Sequence, residues 1–223
     1  MVEILSGFQK KFLNEIGSSE LSKYFIWSGG TALSYRYLKH RKSYDLDFLS
    51  KDLLPDEYLL SQVRKIAEKL SIRKIEERKR FNRHEFWLKK NKEVIRIEFV
   101  FYPFSNIRKP KRLPEFKIKV DSIEDILTNK IHAIFERSEP KDIFDVYLIL
   151  QKQKINFFLI LKWVEKKFGV EIDPVLLVSK ILEGAEKLKE IRPLILKKEF
   201  YQPDKIKKYF EKEVQDYLKR KIK

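Results

Sequence analysis

The pattern of apolar and polar residues changes near residue 120. Before that point, short alternating runs predict strands interspersed with helices. After it, apolar residues recur every three or four positions, which predicts helices alone. The predicted strands are 24–28, 44–50, 72–80, 84–89, 94–102 and 116–120, and the predicted helices are 8–15, 31–39, 56–70, 123–137, 141–151, 156–168, 174–188 and 203–219.

This order of elements predicts an α+β fold, in which a mixed sheet with helices is followed by an all-helical C-terminal half. We expect an α+β domain over residues 1–110 and a helical domain over residues 111–223. Residues 103–114 contain three prolines and a run of basic residues, so we interpret them as a connection rather than a strand.

Composition restricts the chemistry. The 223 residues include no cysteine, which excludes a disulfide framework, a thiol nucleophile and a cysteine-based zinc site. The three histidines argue against a multi-histidine metal centre. Lysine and arginine exceed the acids by 49 − 33, a formal charge of +16 that favours an anionic partner such as nucleic acid. No run approaches the roughly 18 apolar residues of a membrane span, so we expect a soluble, cytoplasmic protein with no membrane partner.

Asp45 and Asp47 interrupt the strand predicted over 44–50. Strand alternation places the apolar side chains on one face and both aspartates on the other. Aspartate is uncommon in strands, and two carboxylates about 7 Å apart on one face repel each other. A divalent cation that prefers oxygen ligands, such as Mg²⁺, would reverse that repulsion. The alternative is a solvated edge strand with a chance pair of acids.

Two other features acquire meaning beside this pair. Gly29 and Gly30 separate a predicted strand from a predicted helix, where main-chain N–H groups can approach a phosphate. Alone, they would indicate an ordinary turn. Glu98 shares the polar face of a later strand with Arg96, and a solvated ion pair is the alternative there. Together, the glycines, the aspartate pair and a third acid match the needs of metal-assisted nucleotidyl transfer.

The helical half contains a lysine and two acids at positions where apolar residues are expected. Lys130 lies within the apolar stripe of helix 123–137, and a core-facing lysine needs an anion or a route to water. Asp142 and Asp145 share one face of a helix that is otherwise apolar almost all round. These acids either line a site or form salt bridges, with Lys130 among others, that join two helices.

The sequence resembles a known family in two separated stretches, which occur in the family's order. The first comprises residues 29–33, Arg36, Arg41, Ser43 and residues 45–48, and the second comprises residues 129–133, Arg137 and residues 141–147. In these stretches the chain is similar to the AbiEii- and AbiGii-type nucleotidyltransferase toxins, which include MenT-like proteins. That family belongs to the polymerase-β-like nucleotidyltransferases.

The resemblance implies a DNA-polymerase-β-like nucleotidyltransferase fold whose helical half closes an active-site cleft. It implies Mg²⁺ as the metal, an NTP as the substrate and a cognate antitoxin protein as a partner. The metal ligands are predicted to be Asp45, Asp47 and Glu98. The nucleotide contacts are predicted to be Gly29, Gly30, Thr31, Arg41, Ser43 and Lys130, and the catalytic residues Asp45, Asp47, Glu98, Lys130, Asp142 and Asp145.

The implied activity is Mg²⁺-dependent transfer of NMP from an NTP to an RNA acceptor, such as the 3′ end of tRNA, by the toxin of a toxin–antitoxin system. Basic segments 73–80, 108–112 and 219–223 would then contact the RNA backbone, although each by itself fits a solvated charged face. Two alternatives stay open. One is a nucleotidyltransferase that modifies a protein hydroxyl or a small molecule, and the other is a non-catalytic nucleotide- or RNA-binding module.

Overall fold

The structure, a computed structural model, describes residues 3–221. The chain divides into two compact units between Ser122 and Ile123. This division lies beyond the expected boundary at residue 110, because two short strands that follow residue 110 pair with the sheet of the first unit. The α+β unit is followed by a unit in which the described residues form only helices and connections, as the sequence predicts.

The first unit is built on a seven-stranded mixed sheet in the order β3-β4-β5-β2-β1-β7-β6. Pairs β2–β5 and β1–β7 are parallel, and the other neighbours are antiparallel. The strands are β1 (Ile26–Ser28), β2 (Asp45–Ser50), β3 (Lys74–Arg80), β4 (Arg83–Lys90), β5 (Glu93–Phe101), β6 (Lys111–Leu113) and β7 (Ile118–Val120).

Strand β6 corrects one prediction, since residues 111–113 were interpreted as part of a connection. Lys111 pairs with Val120 and Leu113 with Ile118, so the basic run ends as an edge strand. Pro110 and Pro114 flank this strand, and neither lies within it, so no ladder hydrogen bond is lost. Only Leu113 of the three residues is buried, which leaves too short a pattern for alternation to be visible.

The helices of the first unit enclose one face of the sheet. Helix α1 begins with a capping box, in which Ser6 and Gln9 bond reciprocally, and it contacts α4, β5 and β7. Beneath them the buried side chains of Leu46, Phe48 and Phe99 form part of the core. The helices are α1 (Gly7–Ser18), α2 (Leu21–Tyr24), α3 (Gly29–Leu33), a π-helical turn (Ser34–Leu38) and α4 (Asp56–Lys69).

The second unit contains the five predicted helices. Three of their N-termini carry strong signals, with Asn156 and Asp173 as side-chain caps and Pro140 at the first position of its helix. No helix within residues 3–221 has the length and apolar character needed to cross a membrane. The helices are α5 (Ile123–Arg137), α6 (Pro140–Gln153), α7 (Phe157–Phe168), α8 (Pro174–Ala185) and α9 (Pro203–Lys221), with 3-10 turns at Leu188–Leu194 and Lys198–Phe200.

Candidate active site

The two aspartates of β2 lie on the face of the sheet opposite the core. Burial alternates along the strand, so that Leu46 and Phe48 are buried while Asp45 and Asp47 are half-exposed. Strand β2 is not an edge strand, because it pairs with β1 on one side and β5 on the other. The alternative of a chance pair on a solvated edge strand is therefore wrong. The carboxylates face outward from the middle of the sheet.

Gly29 makes room for one of these carboxylates. It has φ of +76°, and a Cβ at this position would lie 1.8 Å from Oδ2 of Asp47. Any other residue would therefore be strained and would displace the carboxylate. The glycine is required by both its backbone conformation and its contact, which brings the predicted phosphate-binding turn and the predicted metal ligand together.

Gly30 brings two further predicted residues to the same place. A Cβ on Gly30 would lie 2.6 Å from Nη2 of Arg41 and 3.1 Å from Oγ of Ser43. Arg41 is buried and donates through Nη1 to the carbonyl oxygen of Lys42, at 3.0 Å. The guanidinium is therefore fixed against the glycine turn, as pre-organised recognition of an anion requires.

Buried hydroxyl groups hold this arrangement in position. Thr31 donates through Oγ1 to the carbonyl oxygen of Asp45, at 2.5 Å. Ser34 donates in the same way to the carbonyl oxygen of Arg41, at 2.5 Å. Thr31 is fully buried, so its hydroxyl positions the aspartate strand, and the nucleotide contact predicted for Thr31 stays a prediction.

Glu98 lies beside Asp47, and its carboxylate forms ion pairs with two arginines. The two residues are direct neighbours in the β2–β5 register, as Asp45 and Arg96 are. Arg96 forms ion pairs with Asp45 (Nη1 to Oδ2, 3.2 Å) and with Glu98. Arg83 adds a second cation to Glu98, with Nη1 at 3.3 Å from Oε2. The expected neighbour pair Arg96–Glu98 thus exists within a larger network.

Glu85 on β4 completes that network. Its Oε1 lies 2.5 Å from Nη2 of Arg96 and its Oε2 lies 2.6 Å from Nη2 of Arg78. Burial by itself raises the pKa of Glu85, but hydrogen bonds from Arg96 and Arg78 outweigh burial and hold that pKa below its ordinary value. For Arg96 burial lowers the pKa, and the carboxylates of Glu85, Glu98 and Asp45 raise it by more. Both shifts favour the charged forms of Glu85 and Arg96.

The donor set fits a magnesium ion through two carboxylates. Mg²⁺ is usually held by one or two carboxylates together with substrate phosphates and water. Asp45 and Asp47 are half-exposed and on one face, as such a site requires. Among residues 3–221, no group of three or more histidine or acidic side chains is arranged as a metal site. The role of Glu98 as a metal ligand stays a prediction.

The second unit brings Lys130, Asp142 and Asp145 together. Nζ of Lys130 lies 2.6 Å from Oδ1 of Asp142 and 2.7 Å from Oδ2 of Asp145. Arg137 reaches Asp142 at 2.8 Å. Burial by itself raises the pKa of Asp142, but the nearby charges of Lys130 and Arg137 lower it by more, so that it lies below its ordinary value. These are the salt bridges that the sequence offered as one of two explanations, and they join α5 to α6.

Sequence reasoning missed Arg83, Glu85 and Trp87. They alternate along β4 and share the polar face with Arg96 and Glu98, as the register shows. Trp87 also lies against two guanidinium groups, 5.3 Å from Cζ of Arg78 and 5.7 Å from Cζ of Arg96. Alternation was the available signal, but only strand pairing shows that these residues extend the aspartate site.

A match to the model of a protein family establishes the family to which the chain belongs. The model that describes the nucleotidyl transferase AbiEii toxin of type IV toxin–antitoxin systems matches residues 11–219. The chain belongs to this family. AbiEii membership implies a nucleotide substrate and an antitoxin partner, and it extends the sequence resemblance from two stretches to nearly the whole chain.

Individual proteins are similar to this chain over nearly its whole length. The uncharacterized protein aq_aa25 of Aquifex aeolicus (strain VF5) is 26% identical over 96% of this chain and 94% of its own length. A crystal structure of a candidate nucleotidyltransferase from H. pylori matches with a TM-score of 0.56 at 20% identity, covering 93% of this chain and 98% of that one. The crystal structure of JHP933 from Helicobacter pylori matches with a TM-score of 0.55 at 20% identity, covering 95% of this chain and 94% of that one. The predicted nucleotidyltransferase fold is confirmed.

Proposed function

We propose that this AbiEii-family protein transfers NMP from an NTP to the 3′ end of an RNA, such as tRNA, in a reaction that depends on Mg²⁺. The observation that carries the proposal is the packing of Asp47 against Gly29, with Arg41 and Ser43 against the adjacent Gly30. This arrangement combines carboxylates, a buried cation and an open glycine turn on one face of the sheet. Few activities other than phosphate chemistry require that combination.

Asp45 and Asp47 would hold the metal. When bound, Mg²⁺ would neutralise phosphate charge and stabilise the charge that develops on the departing pyrophosphate. Each aspartate would contribute oxygens to this ion, and the ion would offset the repulsion between the two carboxylates. Arg96 forms an ion pair with Asp45 and holds that carboxylate in place.

Gly29 and Gly30, both half-exposed and packed against Asp47, Arg41 and Ser43, would receive the triphosphate through their main-chain N–H groups. Arg41 and Ser43 would bind its oxygens. The RNA 3′-oxygen then attacks the α-phosphorus, a phosphodiester bond forms, and the bond to the β-phosphate breaks. Pyrophosphate leaves, and the proton of the attacking hydroxyl passes to a carboxylate of the aspartate pair. Glu98, which two arginines occupy, is better suited to orienting this face than to accepting that proton.

The proposal includes a second set of predicted functional residues in the helical unit. This set comprises Lys130, Asp142 and Asp145. The buried ion pairs of Lys130 with both acids explain its position in an apolar stripe without a ligand. We therefore assign this set the formation of the α5–α6 core as its first role. A contact of Lys130 with the triphosphate would be additional to it.

The proposal is tested by incubating the purified protein with each α-³²P-NTP, Mg²⁺ and total tRNA. We expect label on the RNA, and the Asp45→Asn/Asp47→Asn variant to transfer at least about 100-fold more slowly. Asp52→Asn is the matched control, because Asp52 is an exposed aspartate just beyond the same strand. It should transfer at the wild-type rate.

Two outcomes would contradict the proposal. Label on a protein rather than on RNA would favour modification of a protein hydroxyl. An absence of both labelling and NTP binding would favour a non-catalytic module. Repeating the assay with Mg²⁺ removed by a chelator tests the metal, and transfer that continued unchanged would contradict its role.

A further inference from the structure

Phe81 is exposed at the end of a rigid hairpin in the first unit. Phe81 and Asn82 form the two-residue loop between β3 and β4, and the Phe81 side chain is fully exposed. Asn82 anchors the loop to β5 through two hydrogen bonds with Phe101, at 2.8 and 3.0 Å. The aromatic ring is therefore presented to solvent by a fixed backbone.

The residue type at this position is unfavourable in two ways. Phe81 has φ of +46°, a conformation that suits glycine or asparagine and strains bulky side chains. It is the only aromatic residue among the seven non-glycine residues with positive φ in the described chain. The exposed ring also leaves its apolar surface in water. Nothing in the hairpin compensates for the backbone strain or for the exposed apolar surface of Phe81, so a partner that contacts the ring is the remaining explanation.

Cations surround this ring. Arg80 and Arg83 flank the loop and are direct cross-strand partners, an arrangement in which like charges repel. Arg80 is exposed and forms no ion pair with any residue in the described range 3–221. The Arg83 side chain is about half-exposed, at 47%. A polyanion would relieve the repulsion that the protein itself leaves in place.

The same cations continue across the sheet to the aspartates. Arg78, Arg83 and Arg96 form ion pairs with Glu85, Glu98 and Asp45, so a continuous row of cations and acids links the loop to the aspartate pair. The cation that no acid of residues 3–221 balances is Arg80, beside the ring. Arg83 is bonded to Glu98, which is the neighbour of Asp47. Arg83, at the loop end of this surface, lies two strands away from Asp47 and two residues further along the strand direction. These spacings separate the two residues by about 12 Å, a distance that a few nucleotides can span.

We infer that the β3–β4 loop and the arginines beside it bind the single-stranded end of the RNA acceptor. Phe81 stacks on a base, while Arg80, Arg83 and Arg78 contact phosphates on the way to the aspartate pair. Stacking on an aromatic ring beside cations is the usual means of holding single strands without sequence preference. An acidic protein could also cover the ring, but the arginines that continue from the loop to Glu98, beside Asp47, favour a strand whose end reaches the aspartate pair. The inference rests on the proposed function and names its acceptor surface.

Binding is measured on the full-length protein without NTP or metal, using a fluorescent single-stranded RNA of about 12 nucleotides. Phe81→Gly should weaken binding at least about five-fold, as expected for the loss of one stacked base. Because glycine accepts positive φ, this variant should unfold at the same temperature as wild type or higher. A loss of binding in it therefore cannot be ascribed to a loss of fold.

The β4–β5 loop supplies the matched controls. Asn91 and Lys92 form another two-residue loop with positive φ at its first residue, and both are exposed. Asn91→Gly and Lys92→Ala should bind RNA as wild type does. Arg80→Ala should weaken binding and reduce the slope of log affinity against log salt by about 0.7, the loss of one phosphate contact.

The outcomes separate this inference from the proposed function. RNA binding by Phe81→Gly equal to wild type would overturn the inference, even if label transfer to RNA were observed. Phe81-dependent binding without label transfer would support the surface and refute the chemistry. Direct binding of an acidic peptide, with no measurable affinity for RNA, would overturn it in favour of a protein partner.

Discussion

Gly29 is the residue on which the geometry of the aspartate pair depends most directly. Its φ is +76°, and a Cβ would lie 1.8 Å from Oδ2 of Asp47. In Gly29→Ala the methyl group must displace that carboxylate, so we expect transfer to fall at least tenfold. Strain at positive φ should lower the free energy of unfolding by about 1 kcal/mol. Label transfer and urea unfolding measure the two effects.

Gly169 provides a control that distinguishes the effect of backbone strain from the effect of the contact with Asp47. Its φ is +69°, but a Cβ there would have no atom within 4 Å. Gly169→Ala should show a similar loss of stability with unchanged transfer. Equal loss of transfer in both variants would mean that stability alone limits activity and that the contact with Asp47 has no special role.

The chemistry-bearing residues were visible in the sequence because each interrupts a regular pattern. Asp45 and Asp47 stand in a strand, and Lys130 stands in an apolar helical stripe. The reason that Gly29 must be glycine was not visible, since it depends on an antiparallel register that brings Ser28 opposite Asp47. A residue's type can be read along the chain, but its neighbour across a sheet cannot.

At the scale of elements, the α5–α6 pair is joined by a buried cation. The substitution Lys130→Met removes this cation and leaves Asp142 and Asp145 buried beside each other, with Arg137 still paired to Asp142. We expect a loss of about 3–5 kcal/mol in the free energy of unfolding. Neutralising the acids as well, in Lys130→Met/Asp142→Asn/Asp145→Asn, should recover a large part. Urea unfolding measures both.

The pH dependence of this loss has a defined sign. The pKa of Asp142 is lowered in the folded protein, so its ion pairs stabilise the fold above its unfolded pKa of about 3.9. That contribution disappears as pH falls through the lower, folded value. The difference between wild type and Lys130→Met should therefore be largest near neutrality and shrink below about pH 4. A difference independent of pH would contradict the assignment of these charges.

The same variants divide the two roles of Lys130. If Lys130, Asp142 or Asp145 also acts in transfer, the stabilised triple variant should still transfer poorly at a temperature where it is folded. Recovery of transfer together with stability would leave only the structural role of this set.

Elements were predictable where their periodicity was long. The helices α5 and α6 and the strands β3, β4 and β5 agree with the sequence to within two residues at each end. Short elements were not predictable in this way. The three residues of β6 contain two exposed charges and one buried leucine, which is too few for a strand pattern to be visible. The buried pair Lys167–Asp125, which joins α7 to α5 at 2.7 Å, also had no signal, since its members are 42 positions apart.

For the whole molecule, the family match covers residues 11–219, although recognisable motifs occupy only two stretches. The helices beyond about residue 152 contain none of the residues assigned to chemistry. Their buried side chains, such as Phe157, Ile160 and Phe210, indicate that this part of the sequence is constrained mainly by packing. Function is therefore concentrated in few positions, while the fold is specified by many.

The formal charge of +16 gives the last prediction, which concerns the chain as a whole. Three phosphate contacts on single-stranded RNA imply that affinity falls about 20-fold between 50 and 200 mM salt, since the slope is about 0.7 per contact. The remaining positive charge should speed association at low salt without changing which surface binds. Titrations of RNA at several salt concentrations measure the slope, with Arg80→Ala as the variant that should reduce it. The KM for NTP should change less, because bound Mg²⁺ would already balance much of the triphosphate charge. An RNA affinity independent of salt would mean that the excess charge serves another purpose.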